Sequence, residues 1–189
     1  MIASAVALKE WAVVVEGLAS GDQLLLIRKG GIRDPKGVFQ LEQREFLFYP
    51  TWEHQEQEMI RSPFRDRFQK TFAEPADSTQ VPFRIYGGVA FCGEVRTPSQ
   101  LAGLEKYHIW TPDFLEKRMI YHPQSPTLVV LVRVFRLSLP IQRPAKPEYA
   151  GCKSWVKLEE PVPVDGAEPV VENRRFRQAL EDISARLGS

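Results

Sequence analysis

Between Arg28 and Gln55 the chain crowds charged, aromatic and imidazole side chains more densely than a core requires. The run is Arg28-Lys29-Gly30-Gly31, then Glu42-Gln43-Arg44-Glu45, then Tyr49-Pro50-Thr51-Trp52-Glu53-His54-Gln55. Buried polar groups have to be paired or put to use, so the block reads either as a decorated sheet edge or as part of a site. Arg28, Lys29, Arg44, Glu45, Trp52 and His54 are its candidates. They supply cations for an anion, a tryptophan for stacking and an imidazole for a base edge or a proton. Gly30-Gly31 can present backbone N–H groups to an anion, or can be a plain turn.

A second cluster, Tyr107-His108-Ile109-Trp110-Thr111 followed by Arg118 and Tyr121, mixes aromatics with His and Arg as a pocket for a flat ligand would. The alternative is that Ile109 and Trp110 are core and His108 is exposed where a helix begins. The third cluster is Gly151-Cys152-Lys153-Ser154-Trp155. Cys152 reads there as a small core residue, because a nucleophile needs a histidine within hydrogen-bond reach. Lys153 joins the candidate ligand contacts.

The sequence also excludes classes. It has no GxxxxGK[ST], no GxGxxG after a strand, no HExxH and no GxSxG. Asp77 with Glu94-Val95-Arg96, or Asp34 with Glu42-Gln43-Arg44, has the outline of an acid–x–base nuclease motif, but arginine stands where lysine is usual. No metal and no cofactor is expected. The formal charge of +1 gives no global field. Residues 105–158 nevertheless hold nine lysines and arginines against four acids, a local basic bias. Cys92 and Cys152 are far apart and suit reduced, buried thiols. Lys9, Glu10 and Glu16 interrupt the apolar start, so neither a membrane span nor a signal peptide is expected and a cytoplasmic location is.

To meet, these residues must be carried by particular elements. Leu8, Trp11, Val14, Val15 and Leu18 recur by threes and fours, which predicts a helix over residues 5–18, although Val13 to Val15 also suits a strand. Gly21-Asp22 turns the chain into a short strand at 23–27. Phe39, Leu41 and Gln43 alternate, and residues 45–49 are aromatic and strand-like. Pro50 ends that strand, and Thr51 can cap a helix running through Trp52 and His54 toward Met59. Ser62-Pro63 and Thr111-Pro112 are each a cap followed by proline in the first turn, and Thr97 with Gln100 has capping-box spacing.

Residues 83–96 carry strand structure interrupted at Gly87-Gly88 by a bend or bulge. Thr127 to Leu137 is the strongest strand, apolar enough to be central, and residues 153–158 give another. Phe176, Ala179, Leu180, Ile183 and Leu187 form the stripe of a C-terminal amphipathic helix. The expected fold is mixed α/β (α+β): a small mixed or antiparallel sheet, or a PUA-like β-barrel, flanked by short helices. Residues 1–158 would be one globular domain, 159–169 an acidic proline-rich linker, and 170–189 a helix packing back on the domain.

Ala7-Leu8-Lys9-Glu10-Trp11, LLLIRKGGI at 24–32, FQLEQREFLFYPTWEHQ at 39–55, HIWT at 108–111 and GCKSWV at 151–156 occur in this order. Together they resemble the bacterial family known as domain of unknown function 1802, over roughly residues 5–158. Where that family commonly has a histidine, this chain has Gln43. The resemblance implies no assigned activity. Some members are fused to a restriction-type nuclease domain, which implies a role in restriction–modification or DNA handling and no catalytic residue here. The strand CGEVR, the capped helices and the strand LVVLVRVFRL are more faintly similar to PUA-like domains of the EVE and ASCH groups, which hold nucleic acid or a modified base.

The leading expectation is therefore a nucleic-acid-binding module, for DNA or RNA, reading a modified or flipped base. The runner-up is a metal-dependent phosphodiesterase using Glu42, Glu45 and Glu53 or Glu94 with His54. The third is a protein-interaction scaffold, such as a partner of a restriction-type nuclease, docking through its C-terminal helix.

Overall fold

The computed structural model describes residues 2–29, 41–73, 77–121, 123, 125–151 and 153–188. Its frame is a seven-stranded sheet. In chain order the elements are β1 (Ala3–Trp11), α1 (Ala12–Ser20), β2 (Leu25–Arg28), β3 (Glu45–Thr51), α2 (Ser62–Phe68), β4 (Gln80–Val95), α3 (Pro112–Ile120), β5 (Thr127–Pro144), β6 (Trp155–Pro163), β7 (Glu168–Pro169) and α4 (Asn173–Leu187). The sheet order is β2-β5-β4-β3-β1-β6, with β7 on β5. Every pairing is antiparallel except β1 with β3. The fold is mixed α+β, as the sequence predicts, but the strands do not close into a barrel.

The sheet curls strongly all the same. Arg28, at the end of β2, reaches the far side of the strand order: its guanidinium donates to the Lys9 carbonyl at 3.2 Å and to the Ser154 hydroxyl at 2.8 Å. Side chains rather than a backbone ladder draw the two ends together. The main apolar core fills the concave side, joining α1 and α3 to β2–β5, while Ala7, Leu47, Phe83, Val156 and Leu158 fill a second core on the other face. Adjacent residues of β1 and β3 serve opposite faces, as the pleat demands: Leu8 and Phe48 pair in the first core, Ala7 and Leu47 in the second.

Several elements differ from expectation for identifiable reasons. The predicted helix over 5–18 is split at Trp11, with strand before and helix after. Local propensity runs the wrong way on both sides, since Ala, Leu, Lys and Glu lie in the strand and three successive valines in the helix. Backbone ladders to β3 and β6 hold residues 3–11 extended and override that propensity. Pro50 does not end β3. The β3–β4 ladder stops at Leu47, so the proline lies where its missing N–H leaves no ladder bond unmade on that side.

No helix follows at Trp52; the chain turns instead, and its next helical turn is the short Gln57–Met59. Gly87-Gly88 lies within a continuous β4, whose register shifts flank it at Phe83/Ile85 and Val89/Phe91. A Cβ on Gly87 would stand 2.7 Å from the Phe48 ring, so that glycine makes room for a core aromatic. The expected linker is largely structured. Residues 159–163 belong to β6, an edge strand that tolerates its prolines, and Glu168–Pro169 pair with β5. Alternating Phe39, the Gly30-Gly31 turn and Cys152 lie outside the described residues, and Cys92, expected to be buried, is exposed.

Other expectations hold. β5 is an interior strand, paired with β2 on one side and β4 on the other, and is 18 residues long. Thr111 caps α3, its hydroxyl accepting from the Phe114 N–H at 3.3 Å, and the Thr97–Gln100 capping box opens the turn Pro98–Leu101. The C-terminal helix α4 packs against the sheet through Ala179, Ile183 and Leu187. Asp182 ties it down by accepting from Tyr107 Oη at 2.6 Å and pairing with Lys106 at 2.7 Å.

Candidate functional site

Several elements end around one concavity. β1 delivers Lys9, Glu10 and Trp11, β2 delivers Arg28, and the end of β3 with its following turn delivers Thr51, Glu53 and His54. Trp110 arrives just ahead of α3, Arg118 from its last turn, and Gly151 and Lys153 from the segment before β6. These residues line a cleft of about 240 Å3. It lies at the carboxyl ends of β1 and β3, the one parallel pair among the described residues.

The aromatic wall is held by contacts on both sides of Trp110. Gln23, fully buried, accepts from the Ile109 N–H at 3.3 Å and donates to the Leu25 carbonyl at 2.7 Å. An isolated bridge joins Ile60 to Trp110, and Thr111 N donates to Met59 O at 2.9 Å. Trp110 is thereby fixed against Phe114, rings parallel with centroids 3.7 Å apart, and Trp11 meets it edge-on at 5.4 Å. Such aromatic pairs are worth about 0.5–1.5 kcal/mol each beyond burial.

His54 has φ 58°, the only positive value at a non-glycine among the described residues. Its neighbour Gln55 holds the turn there: the amide oxygen accepts from the Val13 N–H at 2.9 Å, satisfying a first-turn donor of α1, and the amide nitrogen donates to the Thr71 carbonyl. An exposed imidazole is thus presented at the cleft by an anchored, unusual backbone.

The charges are unequal. Lys9, Arg28, Arg118 and Lys153 face Glu10 and Glu53 across the cleft. Glu10, only 8 % exposed, is committed to Arg28 at 2.7 Å. Lys9 donates to Gly151 O at 3.1 Å, and the Lys153 ammonium donates to the Glu148 carbonyl. Arg118 lies over the Phe114 ring at 5.0 Å and makes no hydrogen bond or ion pair with the described residues. Burial first, and then the Arg28 charge, pull its guanidinium below its ordinary value, with Glu10 opposing. A half-buried cation with no carboxylate bonded to it among the described residues, beside an aromatic wall, favours an anionic ligand carrying a flat group.

The structure therefore gathers Arg28, His54, Trp110, Arg118 and Lys153 from three separate sequence clusters. The remaining candidates lie elsewhere. Lys29, 4 % exposed, donates to the Met119 carbonyl at 3.1 Å and closes the last turn of α3, a structural role. Burial and the Arg96 charge hold its ammonium below the usual lysine range. Arg44 and Glu45 line a separate groove at the opposite end of β3, with Tyr86 and Gly88. His108 is 1 % exposed, not on the surface of a helix, and neither ring nitrogen has a partner among the described residues. Tyr121 is exposed beyond α3 and does not line the cleft, and Trp52 lines an adjoining groove.

The carboxylates are dispersed in the same way. Glu53 and His54 are at the cleft, Glu45 is at the other end of β3, and Glu94 sits beside Arg96 at 3.5 Å. Asp77 accepts from its own neighbour Thr79, and Asp34 lies outside the described residues. Among the described residues no group of three His, Cys, Asp or Glu could hold a metal ion. Among the described residues, neither the Asp77 string nor the carboxylates of the phosphodiesterase expectation converge on one point. No described helix is long and apolar enough to cross a membrane.

Lys9, Glu10 and Trp11 join the site although the apolar spacing of residues 5–18 puts them in the middle of a predicted helix. Their signal was available: two adjacent opposite charges inside an apolar run, where a core needs none. The chain belongs to the family described as domain of unknown function (DUF1802), whose model matches residues 7–182. That match takes in every cleft residue and most of α4. No curated protein and no solved structure gives a match to this chain.

Proposed function

We propose that this DUF1802 chain is a nucleic-acid-binding module whose cleft takes one unpaired base together with its phosphate. The observation that carries the reading is Arg118: a half-buried guanidinium without an acid partner among the described residues, stacked over Phe114 beside the Trp11–Trp110 pair. A phosphate satisfies the cation, the half-buried Trp11 offers a stacking surface, and Glu53 and His54 at the rim supply an acceptor and a donor for the base edge. At about 240 Å3 the cleft is smaller than drug-sized pockets of about 300–1,000 Å3, so it suits one base and not a duplex. A base must then be single-stranded or turned out of its stack, which links the module to DNA handling alongside a restriction-type nuclease partner.

The test is titration of single-stranded and duplex oligonucleotides, plain and base-modified, followed by quenching of tryptophan fluorescence. Single strands should quench and bind more tightly than duplex, with affinity falling as salt rises. Absence of binding to every oligonucleotide at low salt would sink the proposal.

A further inference from the structure

The cleft does not end at Thr51. Lys9, Thr51 and Glu53 line it on one side and on the other line a second groove of about 470 Å3, whose far walls include Tyr49, Trp52 and Lys146. Lys9 anchors the shared wall. Lys9 is 8 % exposed, its ammonium fastened to Gly151 O at 3.1 Å and placed 5.4 Å from the centre of the Tyr49 ring. Tyr49 is itself held edge-on between Phe83 and Tyr149, with centroids 6.0 and 6.3 Å away. Each hollow thus repeats the same equipment: an aromatic surface, Trp11 in one and Trp52 in the other, and cations, with Lys9 common to both.

Two adjoining hollows that meet at a ridge of Lys9, Thr51 and Glu53 match a ligand whose unit is a flat ring joined to the next by a short polar link, for which Lys9 supplies the cation and Thr51 a hydroxyl donor. Resting on the nucleic-acid reading above, we propose that the protein engages two consecutive nucleotides of a single strand. One base lies in the Arg118 cleft, the next lies against Trp52, and the phosphate between them crosses the ridge at Lys9. A mononucleotide fills only the first hollow, whereas a dinucleotide adds the second stack. Duplex is disfavoured twice over, because both stacking faces of each base are already covered there.

Calorimetric titration with thymidine monophosphate and with the thymidine dinucleotide decides the matter. The dinucleotide should bind on the order of 10-fold more tightly, the worth of one further base stack. Trp52→Ala should remove that gain while leaving mononucleotide affinity unchanged, which also reports an intact fold, and Trp52→Phe should retain it. Equal affinity of the wild-type protein for the two ligands, or equal weakening of both by Trp52→Ala, overturns the two-hollow inference and leaves the single-base reading standing. The wild-type comparison decides even where a variant does not fold. Failure of both ligands to bind overturns the inference and the reading together.

Discussion

Replacing Arg28 with alanine should cost more than any exposed ion pair could explain. Arg28 is the side chain that draws the end of β2 onto β1, by donating to Lys9 O, Glu10 Oε1 and Ser154 Oγ at 3.2, 2.7 and 2.8 Å. The Arg28 and Glu10 side chains are 15 % and 9 % exposed, so truncating the arginine leaves a carboxylate shielded from water and without its cation. Breaking such a buried pair from one side costs about 3–5 kcal/mol. In a chain of this size about 1 kcal/mol moves the melting temperature by about 2–4 °C, so Arg28→Ala should melt about 6–20 °C lower. Pairing Arg28→Leu with Glu10→Leu removes both desolvated charges and should recover most of the loss, giving strong non-additivity in a double-mutant cycle. Urea unfolding of the wild type, both singles and the double measures this. A loss below about 1 kcal/mol for Arg28→Ala, or simple additivity in the cycle, would refute the bridge across the sheet ends.

Three further outcomes follow from local geometry. Burial first, and then the Arg61 charge, depress His108 from its ordinary 6.5 to about 4, with Glu105 opposing. Its neutral form is therefore favoured by folding, and that stability is present above pH 6.5 and lost as pH falls toward 4, by about 3 kcal/mol in all. Urea midpoints should drop over this window, and His108→Gln should flatten the drop. His54→Gly should leave the melting temperature unchanged or slightly higher. Relief of a left-handed φ, about 1–2 kcal/mol, there outweighs the entropy cost of glycine, about 0.5–1 kcal/mol. Because it also removes the imidazole from the cleft, it separates ligand affinity from fold, and a large loss of stability would contradict the assignment. Gly87→Ala should destabilise by about 1–3 kcal/mol through the close approach to Phe48 and be rescued by Phe48→Leu; thermal unfolding of the single and the double checks it.

What the sequence revealed is what local chemistry decides. The caps at Thr111 and Thr97, the apolar run of β5 and the stripe on α4 are each specified by residues within a few positions of one another, and the structure has them. The β1–α1 boundary was not legible, because it depends on ladders to β3 and β6 from distant sequence. Pro50 misled for the same reason: where a ladder stops is a property of the partner strand.

The site shows the same division. Arg28, His54, Trp110, Arg118 and Lys153 stood out by type, and their meeting depends on the curl of the sheet. Lys29 stood out equally by type and turned out to close a helix, since only the fold puts the Met119 carbonyl within its reach. His108, beside Trp110 in sequence, points its backbone carbonyl to Arg61 and keeps its ring in the interior.

The most direct measurement is a crystal structure of the protein with a short single-stranded oligonucleotide, paired with the affinity of Arg118→Met for the same strand. Methionine keeps the apolar stem against Phe114 and removes only the cation. The account predicts a base in the cleft with its phosphate on Arg118, and a loss of affinity on the order of 10-fold or more for the variant. A strand bound at the distant groove beside Arg44 and Glu45, with Arg118→Met binding as well as the wild type, would contradict it.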